Sequence, residues 1–465
     1  MLDVTFAILL ACALAAVVSL LVARTLSPGA ASLTFLLVIS SISGFLNNMF
    51  DRQPAVQLLR FFVLAALIAA WAVQRDRRSR AWPMDRTVLT FFVVYTLQTF
   101  NPHWSSVKVG VMNGVAGMLQ HGLPMLMFFV APDLLRTRRD VAGMLVVVIA
   151  ISSVMAAYGL YQYGRGVDYV RDLGPGFRST LAREMAWRDN NPEEQVFRPV
   201  SFAQDAGAAS AFYALGAVLA GAMLSSPRMR PAGVTAMTAM LVLNLVALSL
   251  TLYRGTMAAA LAGLALVAPA GHRPRRVAAA VVVSLLLVGL TSEWMGGAVS
   301  ERYASLLHTD RIIASRGMQV SALAWAAYTF PLGMGIGRVG PAANRFSAPA
   351  DRTVSVPPES YYVCIVFETG LVGLGLAIWI FGHIAMQAGI AVRRVRDAEL
   401  HPLAVSLAVT LGAILVMTFT GPALYSSPLS YTFWSFAGLL YRVVALERAS
   451  RAAQRGALAG ITAVA

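Results

Sequence analysis

Thirteen long apolar runs constrain this chain more than any other feature. They lie near residues 5–23, 30–46, 56–73, 87–100, 113–131, 141–160, 203–224, 232–251, 256–270, 277–291, 361–386, 403–419 and 429–445. The hydrocarbon core of a membrane is about 30 Å thick and takes about 20 apolar residues in helical form. Inside it only a helix or a closed barrel satisfies its own backbone. The runs therefore predict an all-α, polytopic helical bundle of about 12–13 transmembrane helices, a single integral membrane domain over 1–465. The first two runs decide between 12 and 13. Residues 5–23 follow Met1-Leu2-Asp3 without the basic stretch of a secretory signal, so this run is expected to be a retained helix. Composition agrees: 58% hydrophobic and 13% charged residues, with mean hydropathy +0.67, against about 45–50% and 25% in soluble domains.

Basic residues punctuate the runs. Gln74–Arg80, Arg136–Arg139, Arg228–Arg230, His272–Arg276 and Arg393–Arg396 recur after every second helix, as cytoplasmic loops do under the positive-inside rule. The net charge is +15, with Lys108 the only lysine. Because the basic clusters are short and separated by apolar spans, no nucleic acid is expected as a partner; the partner that composition names is the lipid bilayer. Cys12 and Cys364 lie in apolar runs without a CxxC pair and read as packing residues. His103, His121, His272, His308, His383 and His401 show no metal-ligand spacing. Neither a metal nor a cofactor is expected.

This topology puts two long connections on the outer, periplasmic side: 161–202, and 292–360, which carries the candidate catalytic residues. Both mix acids, arginines and aromatics and read as ordered structure. Arg254, in "SLTLYRGTMAAAL", falls between two apolar runs with almost no loop to hold it. An ionisable group at that depth needs a partner or a task. Arg198 precedes a helix, and Arg311 and Arg316 head an amphipathic segment. Arginine suits a diphosphate because its planar fork stays charged and bonds oxygens bidentately. Glu359, flanked by Pro357 and Pro358 and backed by Tyr361 and Tyr362, is expected to be partly buried at the membrane boundary. It can take a proton from a hydroxyl there, or simply cap the helix that begins near Ser360. Glu368, nine residues on, lies two and a half turns into the same helix. It reads as a structural acid, paired to an arginine such as Arg254 or hydrogen-bonded within the bundle. Gly335-Ile-Gly337-Arg-Val-Gly340 fits G-x-G-x-x-G but has no strand before it, and reads as a tight turn in the external loop.

Glu359-Ser360, nine residues, then Gly370-Leu-Val-Gly373 resembles the signature of the O-antigen ligase and O-antigen polymerase (Wzy-type) superfamily. "LYRGTMAAALAGLAL" is similar to the Ser-Arg segment that opens a helix in that family. "SRGMQVSALAWAAYTFPLGMGIG" is similar to its Arg, Trp and Pro-Leu-x-Gly-x-Gly run, and "FRPVSFAQDAGAASAFYALG" to the helix start after its earlier external loop. The resemblance implies a membrane glycosyltransferase whose donor is an undecaprenyl-diphosphate-linked glycan, acting at the outer face of the bacterial inner membrane. It implies a glycan or lipid-linked glycan as acceptor, with a flippase and a chain-length regulator as protein partners. Its essential arginines map to Arg254 and to Arg316 or Arg311. The ligase histidine is Glu359 here, a departure that favours a polymerase of O-antigen or exopolysaccharide repeat units. A ligase acting on lipid A core is the close alternative, and a polysaccharide transporter or flippase the distant one. The sites implied are Glu359 and Arg316 for chemistry, Arg254, Arg311 and Arg198 for the diphosphate, and Glu368, Tyr361 and Tyr362 as support.

Overall fold

The computed structural model describes residues 27–50, 54–74, 84–101, 107–187, 195–294, 297–304, 309–339 and 359–462. The run 5–23, Cys12, His103 and His308 lie outside the described residues. Every other apolar run is a helix. α1 (Pro28–Met49) starts on Ser27, whose Oγ accepts the Ala30 N–H at 3.3 Å. Pro28 follows at the one position where a missing donor costs nothing. α2 (Pro54–Gln74) and α3 (Asp85–Leu97) come next, and α4 (Val107–Gly117) passes through a π-helical turn, Met118–Gly122, into α5 (Leu123–Met125) and α6 (Met127–Leu134). α7 (Arg138–Asp172) opens with a reciprocal capping box between Thr137 and Asp140. The same Asp140 carboxylate accepts the Ser27 N–H at 3.0 Å, tying the starts of α1 and α7 together.

The connection expected over 161–202 is more helical than that reading. α7 runs on to Asp172, with a break at Gly166 where φ is +83°. α8 (Pro175–Glu184) follows, then a small antiparallel hairpin of β1 (Met185–Trp187) and β2 (Gln195–Phe197), with Met185 opposite Phe197. α9 (Ala206–Leu224) is apolar on all sides and rich in Ala and Gly, the pattern of a fully enclosed helix. It sits at the centre of the bundle against α7, α10 (Pro231–Leu250), α11 (Arg254–Ala270) and a later helix, α16. α12 (Pro274–Trp294) is the opposite case, with Leu286 and Leu290 each 66% exposed on a face suited to lipid. Two further helices, α13 (Ala298–Ala304) and α14 (Thr309–Thr329), lie in the second long connection. α15 (Tyr361–Arg394), α16 (His401–Thr420) and α17 (Ser427–Thr462) complete the bundle. Among the described residues nine helical segments are long and apolar enough to cross a membrane, and Leu58–Val73 and Arg254–Ala270 are shorter apolar helices.

The basic junctions gather at one end. Arg138 and Arg228 both pair with Glu399, the latter at 3.3 Å. Arg442 donates to the Arg136 carbonyl at 2.9 Å, Arg276 to that of Ser226 at 3.5 Å, and His401 Nε2 to that of Ala270 at 3.0 Å. The junctions before α7, α11 to α12, α9 to α10 and α15 to α16 thus share one face. The far ends of α9 to α11 and α15 to α16 define the other.

The second long connection does not stay outside the bundle. α14 runs alongside the first turns of α15 and ends level with a break in that helix at Gly370, where φ is +66°. A broken helix leaves carbonyls unpaired, which membrane surroundings cannot repair. Residues 331–335 repair it. Met334 N–H donates to the Phe367 carbonyl at 2.7 Å, Gly335 N–H to that of Glu368 at 3.2 Å, and Leu371 N–H to that of Pro331 at 2.8 Å. The approach is so close that a Cβ on Gly370 would stand 2.2 Å from the Pro331 oxygen. Gly333, Gly335 and Gly337 all have positive φ, which is why this turn needs glycine. The turn expected in the external loop is therefore a buried patch over a helix break, with Met334, Ile336 and Val339 in the core.

Candidate active site

The end of α16 farthest from the basic junctions organises the candidate residues. Its last carbonyls have no intrahelical donor, and neighbouring elements supply them. Arg316 on α14 donates to the Phe419 carbonyl at 3.3 Å, and Ser360 Oγ to that of Thr418 at 3.4 Å. One turn along α14, Gln319 Oε1 accepts the Glu359 N–H at 3.0 Å. The first turn of α11 closes the other side: a Cβ on Gly255, next to Arg254, would meet Thr420 at 2.5 Å. The sequence order Arg254, Arg316, Glu359 is thus folded around three consecutive residues, Thr418, Phe419 and Thr420. Arg311 lies on α14, one and a half turns before Arg316.

Glu359 is exposed, not partly buried, and its carboxylate makes no hydrogen bond or ion pair with any described residue. Ser360 is the N-cap of α15 without a side-chain bond to the helix, so neither residue closes a capping interaction. Tyr362 receives the Thr418 hydroxyl at 3.3 Å and supports the rim from behind. Tyr361 points inward, fully buried, with a short hydrogen bond between its hydroxyl and His121 Nε2.

Beside Arg254 stands a second group of charges, of which sequence reading singled out only Arg198. Tyr303 on α13 donates to the Ser249 carbonyl at 3.4 Å; burial pushes its phenol up, and the positive charges of Arg302 and Arg254 pull it back. Arg198 lies over the Tyr253 ring at 4.9 Å. Its guanidinium donates to the carbonyls of Glu184 and Arg183, at 3.3 and 3.1 Å, and pairs with the Glu184 carboxylate at 3.4 Å. Those bonds hold the hairpin to α8. Glu184 itself is buried, and desolvation first, then the charge of Asp205, push its carboxyl up to about 7 against the opposing pull of Arg198. Nothing in the sequence distinguishes Glu184 from its neighbours Glu193 and Glu194.

Glu368 belongs to a different environment. One oxygen accepts the hydroxyls of Tyr95 at 2.8 Å and Tyr425 at 2.6 Å; the other accepts the Gly337 N–H at 2.9 Å. Of the two partners expected, an arginine or hydrogen-bond donors of the bundle, it has the second. His121 stacks on Tyr425, with ring centres 5.0 Å apart, and completes a buried polar node. Sequence reading named only His121 of these three, and no spacing links Tyr95, His121 or Tyr425 to Glu368.

The arrangement brings Arg316, the main chain of Glu359 and the first turn of α11, which begins with Arg254, to one end of α16, and leaves the Glu359 carboxylate unencumbered by any described residue. No protein-family model matches this chain, and no curated protein matches it. Among solved structures it is similar to a chain described under "Structural coordination of polymerization and crosslinking by a peptidoglycan synthase complex". The two share 18% identity with a TM-score of 0.40, over 80% of this chain and 98% of that one. So distant a likeness carries no argument about activity.

Proposed function

We propose that this chain is a membrane glycosyltransferase that polymerises undecaprenyl-diphosphate-linked oligosaccharide repeat units into O-antigen or exopolysaccharide at the periplasmic face of the inner membrane. The observation that carries the proposal is the convergence of Arg254, Arg316 and Glu359 on the last turn of α16, at the end opposite the basic junctions. A carrier lipid presents its diphosphate at such a boundary. Glu359 takes the proton of the acceptor hydroxyl, whose oxygen attacks the anomeric carbon of the donor sugar. The bond from that carbon to the diphosphate oxygen breaks, and the electron pair leaves with the diphosphate. Arg254 and Arg316, with Arg311 nearby on α14, neutralise that charge as it develops. Arg198 acts one layer back, by fixing the hairpin and Tyr253 next to Arg254.

Chemical analysis of surface glycan and lipid-linked intermediates in a deletion strain tests the reading. Single repeat units, with no long chains on any carrier, are expected. Long chains accumulating on undecaprenyl diphosphate would instead identify a ligase. Complete units trapped on the cytoplasmic leaflet would identify a transporter.

A further inference from the structure

The inner end of α15 and the cytoplasmic part of α17 enclose a groove of about 380 Å³ lined by Arg393, Arg394, Arg396, Arg448, Arg451 and Glu447 over an apolar floor. Glu447, although buried, is already satisfied. It accepts the backbone N–H of Arg396 at 3.1 Å and of Asp397 at 3.3 Å, and pairs with Arg451 at 2.7 Å. Arg451 also donates to the Arg394 carbonyl at 2.9 Å. These bonds brace the groove and leave four guanidiniums, those of Arg393, Arg394, Arg396 and Arg448, with no hydrogen bond or ion pair to any described residue.

Topology alone does not require this. The positive-inside rule asks for cationic loops, not for their convergence on one braced concavity. At the other inner junctions several arginines are engaged: Arg138 and Arg228 share Glu399, and Arg442 and Arg276 bind carbonyls. Here five arginines face a single acid, a local excess of four charges whose mutual repulsion an anionic occupant would relieve. The depth is also suitable. From Ser427 to Glu447 α17 rises about 30 Å, one hydrocarbon thickness, so the groove lies at the level of the inner-leaflet headgroups.

We propose that this groove binds a phospholipid headgroup carrying two phosphate charges, from the cytoplasmic leaflet. The site is independent of the reaction proposed above, which takes place at the opposite end. Native mass spectrometry of the full chain from phosphatidylcholine nanodiscs, titrated with cardiolipin, tests it. The Arg396→Gln/Arg448→Gln double variant is compared with Arg273→Gln/Arg275→Gln, exposed arginines of another inner junction. Each arginine near an anionic surface contributes roughly fivefold, so the groove variant should retain cardiolipin about 25-fold more weakly than wild type. The control pair should stay within a few-fold of wild type, and both should melt as wild type does in phosphatidylcholine alone. Equal cardiolipin retention by wild type and groove variant overturns the proposal. So does a preference for inorganic pyrophosphate: if millimolar pyrophosphate raises the melting temperature of wild type but not of the groove variant, while cardiolipin is not retained, the groove serves a soluble phosphate.

Discussion

Two glutamates nine residues apart on one helix have opposite surroundings. Glu368 is enclosed, with each carboxyl oxygen occupied by donors from three other parts of the chain. Glu359 stands at the rim with its backbone held and its carboxylate unengaged. A group whose lone pairs are all satisfied serves the fold, because leaving buried donors unpaired is costly. A group whose main chain is fixed while its functional atoms are left open is arranged for something that arrives from outside. The rim can be open because the node beneath it is closed: Glu368 fixes residues 331–337 over the Gly370 break, and α14, which carries Arg316 and Gln319, ends in that same segment.

The largest expected effect comes from breaking the node. Glu368→Ala leaves the Tyr95 and Tyr425 hydroxyls and the Gly337 N–H without their acceptor, at about 1–3 kcal/mol for each donor that finds no other. Set against a total stability of about 5–15 kcal/mol, that is enough to abolish a monodisperse, folded protein. Size-exclusion profile and melting temperature after extraction are the measurements. A variant that melts within a degree or two of wild type would remove Glu368 from its structural role and dissolve the contrast.

Glu359→Gln should do the reverse. Since the carboxylate bonds to no described residue, the variant should melt as wild type does. Polymer formation should fall by about 10²–10⁴-fold, the usual loss when a general base is removed. Glu359→His restores a group able to accept a proton near neutral pH and should recover part of the rate. Full-length glycan made at the normal rate by the Gln variant would leave Glu359 without a chemical role, and the rim would need another base.

How much of this was legible in the sequence differs between the two acids. That the chain is a helical membrane bundle followed from run length alone, and each described run is a helix. Arg254 stood out because an arginine between two spans has nowhere to go. The convergence of Arg254, Arg316 and Glu359 was not legible, because it depends on α16, whose Thr418 to Thr420 carry no motif and contribute mainly backbone carbonyls. The position of Glu368 inside an apolar run announced an internal partner, but not which one: Tyr95 lies 273 residues away and Tyr425 57. The glycine run 333–337 was visible as a turn. Its role as a patch on a broken helix was not, since that needs the pairing of two segments more than thirty residues apart.

Glu184 sharpens the contrast with the smallest expected effect, because it is buried like Glu368 but lies outside the membrane-spanning helices. Its carboxyl is held at about 7 against an ordinary value of 4.5, chiefly by desolvation and next by Asp205. The folded state therefore binds a proton between pH 4.5 and 7 that the unfolded state has released, and the linkage has a definite sign. Stability from this group is complete below pH 4.5, declines as pH rises through 7, and is constant above it. Protection factors for amides of α8 and β2, corrected for intrinsic exchange, should fall over that window in wild type. In Glu184→Gln, which keeps the shape and cannot ionise, they should be flat and should exceed the wild-type values at pH 8. A wild-type profile flat from pH 4.5 to 8 would mean that Arg198, at 3.4 Å, already compensates the buried charge. The layer behind Arg254 would then be an ordinary ion pair, indifferent to pH.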